Sequence, residues 1–247
     1  MNVIDRYFSE ISRILDDVRT SQREAMERAA EAIADATMAH RNVFTFGCSH
    51  AGLLSLELFY RTGGLATVNP IRAPGMMLEI SPITMTSEME RLPGYGEMIL
   101  RNTPLAAGDV LLIHSVSGRN AVAIEMAQTA RDIGATVIVL TNLQTSRAVS
   151  SRHASGKKLY DFGDIVLDNC GCVGDSSLQL PGLPVKTAPT STAIGAVLVN
   201  AIAARAIERM LEAGFEPPVF LSANLDGGDE HNRRMMDAFH DNIFYMG

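Results

Sequence analysis

The chain has 247 residues, 47% hydrophobic and 20% charged, which is too apolar for a disordered polypeptide and long enough for one sizeable core. Its net charge of −7, with no run of lysines or arginines, gives no footprint for nucleic acid or an acidic membrane. The three cysteines, of which only Cys170 and Cys172 lie close together and without zinc-knuckle spacing, fit a reducing cytoplasm better than a disulfide scaffold.

The N terminus turns charged at Asp5 and Arg6 and shows no apolar signal core. Ile4, Phe8, Ile11, Leu15 and Val18 then recur at helical spacing, and Met26, Ala29, Ile33 and Ala36 resume the pattern after Thr20-Ser21. One or two amphipathic helices are expected over 2–39. The first five positions alternate like a coiled-coil seam, so this stripe suits packing on its own domain or on a second subunit. Residues 1–40 are read as a helical segment and 41–247 as the principal domain.

From Asn42 the pattern changes to short apolar runs, each followed by a polar or glycine turn and then a helical pattern. The runs are Val43–Phe46, Ala66–Val68, Val110–His114, Thr136–Leu140 and Asp164–Leu167. Such alternation predicts a five-stranded parallel sheet covered by helices, an α/β fold. Leu53 to Phe59 predicts a helix stopped by Gly63-Gly64, and Val122 to Ile133 one stopped by Gly134. The segment from Thr190 to Ala213 is apolar almost all round and reads as a buried central helix, too short an apolar run for a membrane span. Residues 71–97 and 143–163 break the alternation and are expected to be functional loops or lids.

Three polar turns stand where strands or loops enter helices. Gly47-Cys48-Ser49-His50-Ala51-Gly52 follows the first strand, and a small-residue turn there would aim backbone N–H groups and the Ser49 hydroxyl at an anion. An ordinary turn with Ser49 as helix cap is the alternative. Ser115-Val116-Ser117-Gly118-Arg119-Asn120 repeats the design after the third strand, and two such turns point to phosphate. Neither is a Walker loop or a G-x-G-x-x-G. Pro189-Thr190-Ser191-Thr192 opens the last long helix, either as capping or as a wall of the ligand site.

The G-x-S turn, the S-x-S-G-x-[TSN] turn and the P-T-S-T helix entry together resemble the sugar isomerase (SIS) domain over about residues 40–215. Gly47–Leu58, Gly94–Arg101 and the 110–120 turn are similar to bacterial phosphoheptose isomerases. Pro189–Thr192 looks like the arabinose-5-phosphate isomerase branch, and Asn224–Asn232 like the ending of a little-characterised SIS group. The resemblance implies a three-layer α-β-α sandwich with a doubly wound, flavodoxin-like sheet, binding a phosphorylated sugar. It implies phosphate on Ser115, Ser117 and Asn120, with Gly118 and Arg119 in the same turn, and sugar beside Gly47, Cys48 and Ser49. Thr190, Ser191 and Thr192 close the site in this reading. It also implies a homo-oligomer, dimer or tetramer, with shared sites.

Aldose–ketose isomerisation moves a proton between adjacent carbons through an enediol and needs a carboxylate base and often a histidine. Glu57, among Leu56, Leu58 and Phe59, is the first candidate base, with an i,i+4 pair to Arg61 as its structural alternative. The histidine of the last helix in phosphoheptose isomerases has no counterpart in Ala193–Arg205, so His231 or His50 would replace it. Glu79, Glu88, Glu90 and Glu97 are further carboxylates if 71–97 is a lid. His50, His114, His231 and an Asp or Glu could in principle hold a metal, but no ligand pair has metal-motif spacing, and neither a metal nor another cofactor is expected. A non-catalytic phosphosugar sensor, or a lyase or etherase acting on an amino-sugar phosphate, are the competing readings.

Overall fold

The computed structural model describes residues 1–246. Two helices open the chain, α1 (Val3–Ser21) and α2 (Arg23–Met38), broken at Gln22. The central sheet is built from β1 (Val43–Gly47), β2 (Val68–Pro70), β3 (Val110–His114), β4 (Thr136–Thr141) and β5 (Ile165–Asp168). All neighbours are parallel, in the order β2-β1-β3-β4-β5. The remaining helices are α3 (Leu53–Leu58), α4 (Met85–Met89), α5 (Tyr95–Arg101), α6 (Ala121–Ile133), α7 (Leu143–Ala148), α8 (Ser191–Glu212) and α9 (Gly228–Ala238).

Alternate residues of a strand point to opposite faces. Val43, Val110, Leu112, Ile138, Leu140 and Leu167 therefore pack against α2, α3 and α8, while Phe44, Phe46, Leu111, Ile113, Val137 and Val139 pack against α5 and α6. Burial on both faces is why these strands read as continuous apolar runs. The three-layer, doubly wound sandwich is present, and its strand order reverses direction at the β1/β3 pair, where such sheets open a crevice.

Two expectations are corrected. The second strand begins at Val68 rather than Ala66, because Leu65 pairs antiparallel with Val219 and the Ala66 N–H donates to the Pro218 carbonyl. Only from Val68, in register with Val43, does the chain enter the sheet. Residues 143–163 are not an open loop: the Asn142 side chain caps α7 by accepting from Thr145 N at 2.6 Å. The buried Lys158 ammonium donates to the Ser146 and Val149 carbonyls at the helix's other end, and Leu159 is fully buried in a 3₁₀ turn over Leu159–Phe162. A short antiparallel hairpin, β6 (Ser176–Leu178) with β7 (Thr187–Pro189), was not predicted.

Helix α8 packs between α2 and α3. A Cβ at Gly195 would lie 2.5 Å from Leu54 Cδ1, so the missing side chain is what lets α3 approach. The α1 stripe divides: Ile14 and Val18 join the core, whereas Phe8 is 68% exposed and Ile4 62%. Tyr7 ties α1 to the hairpin, its hydroxyl donating to the Pro189 carbonyl at 2.7 Å. After α8 the chain runs beneath the amino ends of the strands, where Asn242 donates to the His40 carbonyl and Phe244 stacks on Phe44. Among the described residues no helix is long and apolar enough to cross a membrane.

Candidate functional site

At the carboxyl end of β1, Gly47 begins a tight turn: a Cβ there would sit 2.5 Å from the Ala51 carbonyl group. Ser49, in left-handed backbone at φ +53°, donates its N–H to the Met76 carbonyl at 2.7 Å, and Ala51 N donates to Cys48 O. These two amides are therefore engaged within the chain and do not serve as the free anion donors expected of the turn. The Ser49 side chain is only partly buried and His50 is exposed. Cys48 packs its thiol on Met76 Sδ at 3.6 Å. Burial, and secondarily the charge of Glu90, push that thiol well up, so it is not a nucleophile at neutral pH.

The turn after β3 differs in its donors. Ser115 Oγ accepts from Gly118 N at 3.2 Å, and Gly118, at φ +54°, packs below Leu159. Thr141 Oγ1 braces the turn by donating to the Ser115 carbonyl at 2.7 Å. Among the described residues the backbone N–H groups of Ser117, Arg119 and Asn120 have no acceptor, and they gather at the N terminus of the thirteen-residue α6. Unengaged donors at the positive end of a helix form a place for an anion.

Guanidinium groups surround this turn. Arg152 donates to Asn120 Oδ1 at 3.0 Å, its own amide bonds the Arg119 carbonyl, and Arg119 reaches Ser150 Oγ at 3.2 Å. Burial, together with the charges of Arg119 and Arg91, lowers the Arg152 pKa against the opposing pull of Glu90. Glu90 itself stands between the two turns. Its carbonyl accepts from Val122 N at 3.2 Å, and burial pushes its carboxyl above the usual range, with the Asn120 amide, Arg91 and Arg152 offsetting part of the rise.

The floor of the crevice is His114, 2% exposed at the end of β3. Its Nδ1 lies 3.1 Å from the Ala51 carbonyl, which only accepts, so Nδ1 carries the proton and Nε2 is a buried lone pair without a partner. Burial lowers its pKa to about 4, opposed by the Ala51 bond and Asp175. Asp175 caps α8: it accepts from Thr190 N at 3.1 Å, Ser191 N at 2.8 Å and Ser191 Oγ at 2.7 Å. Thr190 and Ser191 are thus engaged in capping, and Thr192 is partly buried beside them.

The structure brings the turns at Gly47–His50 and Ser115–Asn120 and the entry to α8 to one edge of the sheet. It does not bring Glu57 or His231 there within one chain. Glu57 is ion-paired with Arg61 and accepts from Asn200 Nδ2 at 2.7 Å. Asn200 lies nine residues beyond Ser191, about 14 Å down α8. His231 Nε2 donates to the Val219 carbonyl at 3.0 Å and shares a cavity with His40, which precedes β1, placing it at the opposite edge. Glu90, Arg91, Arg152 and Asp175 join the site from loops. Sequence signals for them were slight: Glu90 was one of four loop glutamates, and His114, at the end of an apolar strand, stood out only as a conceivable metal ligand with no partner at ligand spacing. Among the described residues no three His, Cys, Asp or Glu side chains gather as a metal site.

A family model described as the SIS domain matches residues 6–142. A UPF0309 protein of Shouchella clausii is 47% identical over 246 residues, and one of Oceanobacillus iheyensis 44% over 246, each alignment covering all of both chains. Among solved structures, a phosphoheptose isomerase of Francisella tularensis aligns with a TM-score of 0.55 at 14% identity, over 84% of this chain and 100% of its own. A phosphoheptose isomerase of Neisseria gonorrhoeae aligns at 0.52 with 18% identity, over 83% and 97%. The sugar isomerase domain of an RpiR transcription factor of Sphaerobacter thermophilus aligns at 0.51 with 14% identity, over 98% and 99%. At these identities the structural likeness shows the fold. The family model and the full-length relatives show more, and this chain belongs to the SIS domain family.

Proposed function

We propose that this protein binds a phosphorylated sugar across the β1/β3 crevice and interconverts its aldose and ketose forms through an enediol. The observation that carries the reading is the set of unengaged N–H groups on Ser117, Arg119 and Asn120 at the α6 N terminus, beside the guanidinium groups of Arg119 and Arg152. A phosphate dianion there accepts from the amides and from the Ser115 and Ser117 hydroxyls. The sugar then extends toward Cys48 and Ser49, with His50 at the rim available for ring opening. No metal or organic cofactor enters the scheme, because proton transfer between adjacent carbons needs only acid and base groups. Glu57 and His231 lie outside the crevice of one chain, so in this scheme the base that takes the proton from one carbon and returns it to the next is a residue of a second copy in the homo-oligomer.

The phosphoheptose isomerases with this fold support isomerisation. The lack of a histidine in Ala193–Arg205, and the RpiR factor among the neighbours, favour a second reading in which the site binds a phosphosugar without converting it. A panel of aldose, ketose and amino-sugar phosphates, screened by thermal shift and then incubated in D₂O under NMR, separates them. A stabilising sugar that gains deuterium beside its carbonyl is the expected result. Stabilisation with neither exchange nor conversion establishes the binding-only reading, and stabilisation by no phosphosugar removes both.

The same proposal includes a homo-oligomer in the cytoplasm, a setting the three free thiols suit. Exposed Ile4 and Phe8 on α1, and Val197, 50% exposed on α8 beside Leu15 and Val18 of α1, are apolar surface that a second copy would cover. Sedimentation of the Phe8→Asp variant should show monomers where the parent sediments as a larger species. A parent that is already monomeric would discard this part of the proposal.

A further inference from the structure

We infer that Arg91, Arg119 and Arg152 complete an anion subsite around the turn after β3, and that Glu90, standing among them, is neutral when a dianion docks, so that binding takes up one proton. This rests on the phosphosugar reading and adds to it the chemistry of the subsite.

The geometry is a relay of three groups. Asn120 Oδ1 accepts from Arg152 at 3.0 Å, and the Asn120 amide lies close enough to Glu90 to offset part of the rise that burial gives its carboxyl. Asn120 does not cap its own helix with its side chain. The loop bearing Glu90 is docked on α6 through the bond from Val122 N to the Glu90 carbonyl at 3.2 Å. Carboxyl, amide and guanidinium thus surround the same helix N terminus that offers its N–H groups.

The charges then decide the state of Glu90. Arg91 faces it from its own loop, Arg152 from the segment before the 3₁₀ turn, Asn120 from α6 and the Cys48 thiol from the turn after β1. Arg119 adds its charge through Arg152. None of these three arginines is ion-paired to a carboxylate within bonding distance among the described residues, unlike Arg13, Arg61, Arg101 and Arg205. With Glu90 protonated, three guanidiniums face the two negative charges of a phosphate monoester near neutral pH, and no carboxylate charge opposes the ligand. A dianion brought to the α6 N terminus adds like charge beside a carboxylate already penalised by burial, and the protonated carboxyl is the form that tolerates it. Protonated, Glu90 also becomes a donor to the ligand instead of a repelling group.

Inorganic sulfate tests this, because it stays a dianion throughout the range used. Sulfate affinity should be measured by thermal shift at constant ionic strength from pH 5.5 to 8.5 on the full chain. In the parent the affinity should fall as pH rises, by up to about tenfold per unit once Glu90 is ionised, the limit for one linked proton. Glu90→Gln should bind sulfate at least as tightly at pH 8.5 and lose most of the slope, while Arg152→Gln should bind about tenfold more weakly at every pH. Carboxyl ¹³C titration of the parent is an independent measure, and sulfate should move the Glu90 midpoint upward. Sulfate binding with the same slope in parent and Glu90→Gln, or an unmoved midpoint, overturns the coupling and leaves the phosphosugar reading standing. Failure of sulfate and of every phosphosugar to stabilise the parent overturns that reading as well.

Discussion

Replacing Ser115 and Ser117 together by alanine is expected to weaken phosphosugar binding by roughly 100-fold or more while leaving the fold intact. Each hydroxyl lost from an ionised phosphate removes about 1.5–3 kcal/mol, and about 1.4 kcal/mol is a factor of ten in affinity. The fold loses little. Ser115 Oγ accepts only the 3.2 Å bond from Gly118 N, and Ser117 is a partly exposed turn residue. One net hydrogen bond of about 1 kcal/mol shifts the melting temperature of a chain this size by about 2–4 °C. Calorimetric titration with the strongest phosphosugar of the panel, beside a melting curve, reads both quantities. Unchanged affinity in the double variant would remove the phosphate from this turn.

The second large effect is on acid stability and comes from His114. The ring stays neutral in the folded protein down to about pH 4 because it is buried, whereas in the unfolded chain it takes up a proton near its ordinary value of 6.5. The unfolded state therefore binds more protons between these values, and stability falls as pH drops through that window. The full loss is on the order of 3 kcal/mol. His114→Asn keeps a donor for the Ala51 carbonyl and cannot ionise, so its urea-unfolding free energy should decline less steeply between pH 6.5 and 4. Glu90 works in the opposite direction: its raised folded-state value makes the fold gain stability as pH drops toward 4.5. The test is accordingly the difference between parent and His114→Asn at each pH. Parallel curves would show that His114 titrates normally.

The two turns were legible in the sequence because each is a contiguous run in which small residues and hydroxyls follow an apolar strand. Glu57 was legible for the wrong surroundings. Its apolar sequence neighbours suggested burial, yet Leu56 is 38% exposed and the carboxylate turns along α3 to Arg61 and across to Asn200. Thr190 and Ser191 looked like ligand groups until Asp175, fifteen residues upstream of Thr190 in the β5–β6 connection, was seen to accept their donors. No local pattern marks such a partner.

Strand periodicity, glycine stops and the serine turns were enough for the parallel sandwich and for the edge of the sheet at which a ligand would sit, since these depend on residues near one another in the chain. The β2 register and the order of the α7 segment depended on Val219, Pro218 and Lys158, distant residues that engage backbone groups by folding back on them. The charge of the site was likewise set in three dimensions. A chain of net charge −7 carries Arg91, Arg119 and Arg152 scattered over sixty residues of sequence, and only packing of two loops on the α6 N terminus brings them beside Glu90. Hydrophobic periodicity acts over a few residues and is written locally. Electrostatic environment is a sum over whatever the fold places within a few ångströms, and here only the tertiary structure performed that sum.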